Sequence, residues 1–419
     1  MKAITPKGWC PTALRPMETG DGYLVRLRIV NGELSFSQAR AVAELSERFG
    51  NGLIDISARA NLQLRGVTKA GLEGLWTRLA DVGLLSADPA AESAPIVTPS
   101  PLAGFDDSMV LDTRSIVAAL EARLMRDVAL RALPAKFGFL VDGVGVAPLT
   151  GIDADVGLHA FHTPGGPRFA VRLGGALAGS VAVDEAPDAA GRIGAAFLAL
   201  RLDERRMAPL VQRLRVTAIA RRAAIGGDVE GVAPAPIDRR AVLGVHALGT
   251  TSFVGAAADF GQLSARNLRR LADRAEAHGA ADLRLTPWRA LLAPGLEANA
   301  ARALAGELGD CGFILDGDDP RLALAACSGK PACASAYDDV RVTALSLAPL
   351  LGDYRGVLHI SGCRKGCAHN ARAPLTFVAY AGGYDVVENG LARDEPSARG
   401  LSVAALAAYL GAHEKGNDA

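Results

Sequence analysis

The chain has 419 residues; half are hydrophobic, 5% are aromatic, and 45 basic side chains balance 45 acidic ones. A balanced charge argues against nucleic acid or a membrane surface as a partner, because proteins that bind either carry an excess of Lys and Arg. No apolar run reaches the ~20 residues that cross a bilayer, and residues 1–6 lack the apolar core of a secretory signal. We therefore expect a cytoplasmic protein.

The first predicted unit is a strand, a helix and two further strands. Residues 23–30 alternate in polarity and are rich in β-formers, which predicts a strand. Residues 35–49 carry apolar positions at helical spacing, and Ser35 or Ser37 can cap the helix. Residues 53–67 predict a strand, a loop and a strand. This β-α-β-β unit is about half of a ferredoxin-like fold.

The same pattern recurs 229 positions later, where residues 261–295 align with residues 32–66 without a gap. Identical residues include the pairs Gly32 and Gly261, Leu34 and Leu263, Arg40 and Arg269, Glu47 and Glu276, and Gly66 and Gly295. A half sheet leaves strand edges unpaired, so we expect the two copies to pair with each other.

Each copy precedes a longer segment that mixes helices and strands. The first such segment has a predicted helix near 115–127 and predicted strands near 137–141 and 169–173. Pro-containing residues 229–240 predict the linker between the halves. We expect four parts: a half-domain in 1–90, an α/β domain in 91–228, the linker and second half-domain in 229–300, and a second α/β domain in 301–419.

Four of the six cysteines form two glycine-flanked pairs, Cys327 with Cys333 and Cys363 with Cys367. Converging thiolates need a soft metal centre, either zinc or an iron–sulfur cluster. Structural zinc prefers two to four residues between paired cysteines, so the five-residue gap favours a cluster, with zinc and buried apolar thiols as alternatives. Cys10 stands alone, and either packs in a core or lies near an active site.

Residues 57–67 read Ser-Ala-Arg-Ala-Asn-Leu-Gln-Leu-Arg-Gly-Val. With the cysteine spacing and the duplicated half-domains, they resemble the sulfite/nitrite reductase superfamily. Residues 10–22 and 359–369 are similar to the precorrin-3B synthase family within it. The resemblance covers nearly the whole chain. It implies an α+β fold of two paired ferredoxin-like half-domains and two α/β domains, with an internal two-fold repeat. The first α/β domain would bind a tetrapyrrole, and the second a [4Fe-4S] cluster held by Cys327, Cys333, Cys363 and Cys367.

The family acts on precorrin-3A, so the resemblance implies that the tetrapyrrole is the substrate. Arginine suits its acetate and propionate arms, which it can bind in a bidentate manner. Side chains 59, 61, 63 and 65 share one face if this stretch is extended; a solvated outer face of an edge strand is the alternative. The expected substrate-binding residues are Arg26, Arg28, Arg59, Asn61, Gln63, Arg65 and Lys136, with Arg59 and Lys136 as catalytic residues.

Two positions differ from the reductases of the superfamily. Where these carry Arg-Asn, this chain has Pro95-Ile96, and where their second pocket lysine stands it has Gly138. Losing these cations removes stabilisation that the reduction of a small anion requires. A sirohaem-dependent sulfite or nitrite reductase is the alternative, and a non-catalytic tetrapyrrole or iron–sulfur binding protein is a third.

The family's reaction is an O2-dependent monooxygenation of precorrin-3A to precorrin-3B in cobalamin biosynthesis, with hydroxylation and closure of a γ-lactone. It implies a mononuclear non-haem iron. No H-x-D or H-x-E motif occurs among the seven histidines, so its ligands stay unassigned; His359 and His369 are candidates, or structural histidines. The G-x-G string at residues 143–148 ends in Pro where a dinucleotide loop needs Gly or Ala. We therefore expect a separate reductase to deliver NADH-derived electrons.

Overall fold

The computed structural model describes residues 9–86, 88–229, 234–352, 354 and 356–417. The strands among them are β1 (Met17–Thr19), β2 (Gly22–Leu27), β3 (Glu33–Leu34), β4 (Leu53–Ile56), β5 (Leu62–Val67), β6 (Ile96–Pro99), β7 (Gly138–Asp142), β8 (Val156–Thr163), β9 (Gly166–Leu173), β10 (Ala176–Ala182), β11 (Gly244–Leu248), β12 (Thr251–Ala257), β13 (Gln262–Ser264), β14 (Leu283–Leu285), β15 (Ala290–Leu296), β16 (Leu324–Ala326), β17 (Leu358–Ser361), β18 (Ala373–Tyr380), β19 (Gly383–Gly390) and β20 (Ala398–Leu401).

The α-helices in the same residues are α1 (Phe36–Phe49), α2 (Leu72–Asp81), α3 (Pro89–Glu92), α4 (Arg114–Arg126), α5 (Ala186–Leu200), α6 (Met207–Leu214), α7 (Val216–Arg222), α8 (Ala265–Ala277), α9 (Ala298–Asp310), α10 (Val340–Leu347) and α11 (Val403–Asn417). None of them combines the length and the apolar character that a membrane-spanning helix needs.

Two five-stranded sheets are built from the repeated half-domains: sheet 1 in the order β1-β2-β5-β4-β13, and sheet 2 in the order β11-β12-β15-β14-β3. Each ends in a strand from the other copy. Leu263 of β13 lies opposite Ile54 of β4, and Leu34 of β3 lies opposite Leu283 of β14. The 229-residue shift converts one pairing into the other, which confirms both the repeat and the predicted pairing of its copies.

Helices α1 and α8 pack against each other over one apolar core that both sheets share. Ser35 caps α1 by accepting a hydrogen bond from the Gln38 backbone N–H, and the Gln38 side chain caps it in return. Arg269 donates to Glu47 at 2.6 Å, and Arg40 donates to Glu276, so the ion pairs repeat with the same shift. Such exposed pairs add little stability, but they mark the pseudo-two-fold axis.

The two α/β segments form a second matched pair of sheets: sheet 3 in the order β10-β9-β8-β7-β6, and sheet 4 in the order β16-β17-β18-β19-β20. In each, the first three strands along the chain are parallel and the last two are antiparallel additions. Sheet 3 packs on α4 and α5, and sheet 4 on α10 and α11, around separate apolar cores. The carboxyl ends of their parallel strands are therefore equivalent places.

Part of the predicted linker, residues 230–233, lies outside the described residues. Its following residues are packed: the Trp288 Nε1–H donates to the carbonyl of Ile237 at 3.1 Å, and Pro236 lies against Gly151. The boundaries expected for the four parts stay predictions. The exchange of β3 and β13 makes the two half-domains one structural unit.

Candidate functional site

A row of polar side chains crosses one face of sheet 1. Gln63 of β5 lies opposite Arg26 of β2 on one side and Asp55 of β4 on the other, and Gln262 of β13 follows beside Asp55. The residues that precede and follow them in sequence point to the opposite face of the sheet, into the shared core, because side chains alternate between the two faces along a strand. We call this row the polar face; its three strand spacings of ~4.8 Å make it about 14 Å wide.

The same face of sheet 2 is closed. The 229-residue shift replaces Arg26 and Gln63 by Gly255 and Leu292, and these two are also paired across strands. Leu292 is fully buried in a core, and a Cβ on Gly255 would lie only 1.7 Å from the Val242 carbonyl oxygen. The duplication therefore leaves a polar face in the first copy, whereas packing covers it in the second.

Arg65 is neutralised by the chain itself. Its guanidinium bonds Asp21 through Nε and Nη2, both at 3.1 Å, and Asp55 through Nη1 at 2.9 Å, and its side chain is only 6% exposed. Arg28 is engaged likewise, with Glu121 at 3.0 Å and the carbonyls of residues 94 and 95. Both cations are thus engaged by groups of the chain itself in this structure, and their expected role in substrate binding stays a prediction.

Arg59 does not lie on a strand. It sits in a turn that joins β4 to β5, where Ala60 has a φ of 51° and the buried Asn61 side chain closes the turn by donating to the Arg59 carbonyl at 2.6 Å. The Arg59 Nη2 donates to the carbonyl of Lys136, and its buried Nη1 has no partner in the described residues. Burial lowers the pKa of Arg59 and nearby Arg206 lowers it further.

The Arg59 guanidinium occupies the space above Gly138, where a Cβ would lie 3.8 Å from its Cζ. Arg59 thus lies over Gly138, the position at which the sequence resemblance implies the loss of a lysine. The Lys136 side chain is exposed, and only its backbone carbonyl contacts Arg59. The structure brings Arg59 and Lys136 together, but through a carbonyl rather than through two cationic heads.

Arg26 faces a cavity of about 280 Å³ whose walls include Cys10, Pro95 and Leu133. Its pKa is lowered to about 10, mainly by burial, while Cys10 opposes the shift and Arg59 adds to it. The guanidinium makes no hydrogen bond or ion pair with a described residue. Arg26 therefore has no ion pair among the described residues, although Glu92 is close enough to oppose the lowering of its pKa, and Cys10 lies beside it.

The clustered cysteines follow the parallel strands of sheet 4. Cys327 comes directly after β16, and the loop after β17 carries Cys363 and Cys367. The Gly362 backbone N–H donates to the Cys327 Sγ at 3.2 Å, which ties the two loops together at the sulfur. Their glycines are needed, because a Cβ on Gly362 would lie 2.7 Å from the Cβ of Ala336.

The four thiols interact with one another. Burial raises the pKa of Cys363 and of Cys367, and the charges of Cys327 and Cys333 raise both further. Among the described residues no three His, Cys, Asp or Glu side chains are close enough to hold a single ion. The choice between an iron–sulfur cluster and zinc therefore stays a prediction.

His359 and His369 lie beside these loops, with ring centroids 5.8 Å apart. His359 is fully buried, both of its ring nitrogens lack a partner in the described residues, and burial lowers its pKa to about 4. No carboxylate contributes to that shift. The described residues thus do not complete a two-histidine, one-carboxylate set, so we assign no residue to a mononuclear iron.

Sheet 3 carries a closed counterpart of the cysteine site. Ser100 follows β6 as Cys327 follows β16, and its Oγ accepts the Gly143 N–H at 2.8 Å, as the Cys327 Sγ accepts that of Gly362. The space beside Ser100 is filled by the fully buried Asp142 carboxylate. Of these two equivalent places, the described residues put thiols, which suit a soft metal, at the carboxyl ends of sheet 4.

Three arginines that the sequence reasoning did not select lie between the polar face and the cysteine loops: Arg239, Arg289 and Arg341. Burial lowers the pKa of each, to about 10 for Arg239. Arg341 bridges the two regions, because its Nε donates to the Cys327 carbonyl at 3.2 Å while its Nη1 lies 3.9 Å from Asp55. The polar face and the cysteine loops therefore form one site.

Known proteins resemble this chain over most of its length. The nitrite/sulfite reductase ferredoxin-like half domain matches residues 15–82 and 246–311. A precorrin-3B synthase of Sinorhizobium sp. is 35% identical, over 94% of this chain and 85% of the relative. A ferredoxin-dependent sulfite reductase of Mycobacterium tuberculosis is 25% identical, over 93% of this chain and 73% of the relative.

The solved structure of the Mycobacterium tuberculosis NirA protein has the same fold, with a TM-score of 0.75 at 24% identity over 93% of this chain and 79% of that one. The predicted α+β architecture, with paired half-domains and an internal repeat, is thereby confirmed. The level and extent of identity to the synthase establish the family: this chain belongs to the precorrin-3B synthases, oxidoreductases that share the nitrite/sulfite reductase fold.

Proposed function

We propose that this protein converts precorrin-3A to precorrin-3B with O2, by hydroxylating the macrocycle and closing a γ-lactone, in cobalamin biosynthesis. The observation that carries the proposal is the set of half-buried arginines around the polar face, of which Arg26, Arg59, Arg239 and Arg289 have no ion pair with a described residue. Burying an unpaired cation is costly, and burial lowers the pKa of each of these four and of Arg341, whose one ion pair is with Asp55 at 3.9 Å. A ligand with many carboxylates supplies the missing charge.

The polar face would bind the ring and its arms. Arg26 and Arg59 would each pair with a carboxylate, and Gln63, whose amide makes no hydrogen bond to a described residue, would bond to the macrocycle from the middle of the row. Asn61 would hold the turn that presents Arg59. The exposed Lys136 ammonium would meet a carboxylate at the rim, where it is free to move onto the ligand.

Arg65 would fix the face rather than touch the substrate. Through Asp21 it reaches the β1–β2 turn, in which the Gly20 N–H donates to the Ala332 carbonyl at 3.0 Å, inside the Cys327–Cys333 loop. Arg28 would hold the wall formed by Ala94 and Pro95 in the same way. Catalysis by oxygen insertion requires such a fixed wall, because water must be kept from a reactive intermediate.

Cys327, Cys333, Cys363 and Cys367 would hold a [4Fe-4S] cluster, which supplies single electrons when bound. One oxygen atom would enter the macrocycle and the other would leave as water, which takes two electrons from outside. We propose that a separate reductase delivers them from NADH. In support, the amides of the G-x-G loop are already used: the N–H groups of Val144 and Val146 donate to Asp142 and Asp106, both at 2.8 Å.

The test is product analysis after anaerobic purification, with precorrin-3A, a reductant and isotopically labelled O2. We expect one labelled oxygen atom in the product and no sirohaem bands in the protein spectrum. Unlabelled product, or a sirohaem spectrum with reduction of sulfite or nitrite, would replace this function by the reductase alternative. Tight binding of precorrin-3A without O2 consumption would mean a binding protein that lacks turnover.

A further inference from the structure

A second cavity, of about 240 Å³, lies where sheet 2 meets the cysteine loops. Phe260 and Trp288 form apolar walls, and Ala326 and Ala368 border it beside Cys327 and Cys367. The cavity walls thus combine apolar side chains with the chain neighbours of two predicted cluster ligands.

Arg289 enters this cavity from a strained backbone position. Its φ is 62°, in the left-handed region that residues other than glycine seldom adopt and that costs free energy to maintain. Its side-chain stem runs over Gly261, where a Cβ would lie 2.8 Å from the Cβ of Arg289. The guanidinium has no hydrogen-bond or ion-pair partner among the described residues. The fold therefore holds this cation in place without an ion pair to a described residue, although the Asp55 charge opposes the lowering of its pKa.

Arg239 lines the same cavity. One of its Nη atoms donates to the carbonyl of Leu322, which is a neutral partner. Burial lowers the pKa of Arg239, and the Arg289 charge lowers it further. Two like charges that share a largely apolar cavity repel each other, so the missing component is an anion that contacts both.

The internal repeat relates the position of Arg289 to that of Arg59. The 229-residue shift places Trp288 and Arg289 over Arg59 and Ala60, and Ala60 has the same left-handed conformation, with a φ of 51°. Both copies thus present an arginine from the same turn, but the arginine of the second copy stands one position later in that turn than the arginine of the first. Each turn presents one arginine that has no ion pair in the described part of the chain, Arg59 next to sheet 3 and Arg289 next to sheet 4.

We infer that the cavity between Arg239 and Arg289 binds one carboxylate arm of the tetrapyrrole, and that Arg289 determines which edge of the macrocycle lies against the cysteine loops. This inference rests on the proposed function, since it names a further binding residue of the same site. The ring skeleton is nearly symmetric, so its orientation depends on where its arms find cations, and arginine grips a carboxylate with two parallel hydrogen bonds.

The test is equilibrium binding of precorrin-3A to the full chain without O2, so that no turnover occurs. Arg289→Ala should weaken binding about thirtyfold or more, because a buried charge-assisted pair is lost, and Arg289→Lys should recover part of it. Arg266→Ala, an exposed arginine of α8 with no hydrogen bond to a described residue, is the matched control and should bind like the unaltered protein.

A stability measurement separates a binding role from a structural one. Arg289→Gly removes both the unpaired cation and the backbone strain, so its Tm should equal or exceed that of the unaltered protein while its affinity falls. Affinity within threefold of the unaltered protein in both variants would overturn the inference and leave the proposed function standing. Failure of the unaltered protein to bind precorrin-3A would overturn both. Weak binding together with a lower Tm in Arg289→Gly would make Arg289 a structural residue and overturn the inference.

Discussion

Replacing Arg65 by methionine tests whether this arginine supports the polar face. Breaking a buried ion pair by removing one partner costs about 3–5 kcal/mol, because the remaining charge stays buried. Here two carboxylates would lose their arginine. Asp21 would still accept a hydrogen bond from the Asn51 amide at 3.1 Å, and Asp55 would still accept one from the Gln262 amide at 2.7 Å. We therefore expect a cost at the low end of that range: the free energy of unfolding should fall by about 3 kcal/mol, as measured by urea denaturation at pH 7.

Arg78→Met is the matched control, because Arg78 pairs with Asp81 on the surface with about half of each side chain exposed, and such a pair contributes at most about 1 kcal/mol. Adding Asp21→Asn to Arg65→Met should restore part of the loss, since it removes one of the stranded charges. A cost below about 1 kcal/mol for Arg65→Met, or no recovery in the double variant, would refute the supporting role.

Three further predictions concern the site. Arg59→Ala should weaken anaerobic binding of precorrin-3A by ~2–4 kcal/mol, measured by titration; unchanged affinity would place Arg59 outside the site. Cys363→Ala should lose the brown absorbance and the iron and sulfide found by chemical analysis, whereas Cys311→Ala, whose thiol packs against the shared core, should keep them; an intact brown Cys363→Ala protein would contradict the ligand assignment. The pKa of His359 is lowered from 6.5 to about 4 by burial, so between these values the unfolded chain binds more protons than the folded one. Stability should fall as pH drops through that range, by up to about 3 kcal/mol, and His359→Leu should flatten the profile of the cluster-free protein; parallel profiles would contradict this.

The repeat was predictable because its copies kept the residues that bury the interface. Leu34 and Leu263 are equivalent in the sequence, and each pairs with the other copy. Sequence similarity within one chain thus predicted a contact between distant strands, since strand edges must be covered.

The state of each arginine was not predictable from its neighbours in sequence. Arg65 alternates with Gln63 as expected, but its counter-ion Asp21 is 44 residues away and comes together with it only through strand pairing. Arg59 was expected on a strand, and the left-handed Ala60 places it in a turn instead. Sequence spacing predicts which polar side chains share one face of a strand, whereas tertiary contacts determine which charged side chains already have a counter-ion.

The sequence does contain a signal for Arg289, although it lies outside the motifs that predict the site. The 229-residue shift aligns Trp288-Arg289 with Arg59-Ala60, so an arginine recurs in the second turn one position later. Arg239 and Arg341 had no such signal, because neither belongs to a repeated motif and both become significant only when burial separates them from water.

Oxygen consumption tests the central claim most directly, namely that this site oxidises a tetrapyrrole substrate. The protein is purified and reduced without air and then mixed with O2, with and without precorrin-3A. We predict that stoichiometric O2 uptake requires precorrin-3A and yields precorrin-3B. Oxidation of a reduced dye by sulfite or nitrite in the same preparation, with no uptake of O2 when precorrin-3A is present, would contradict it.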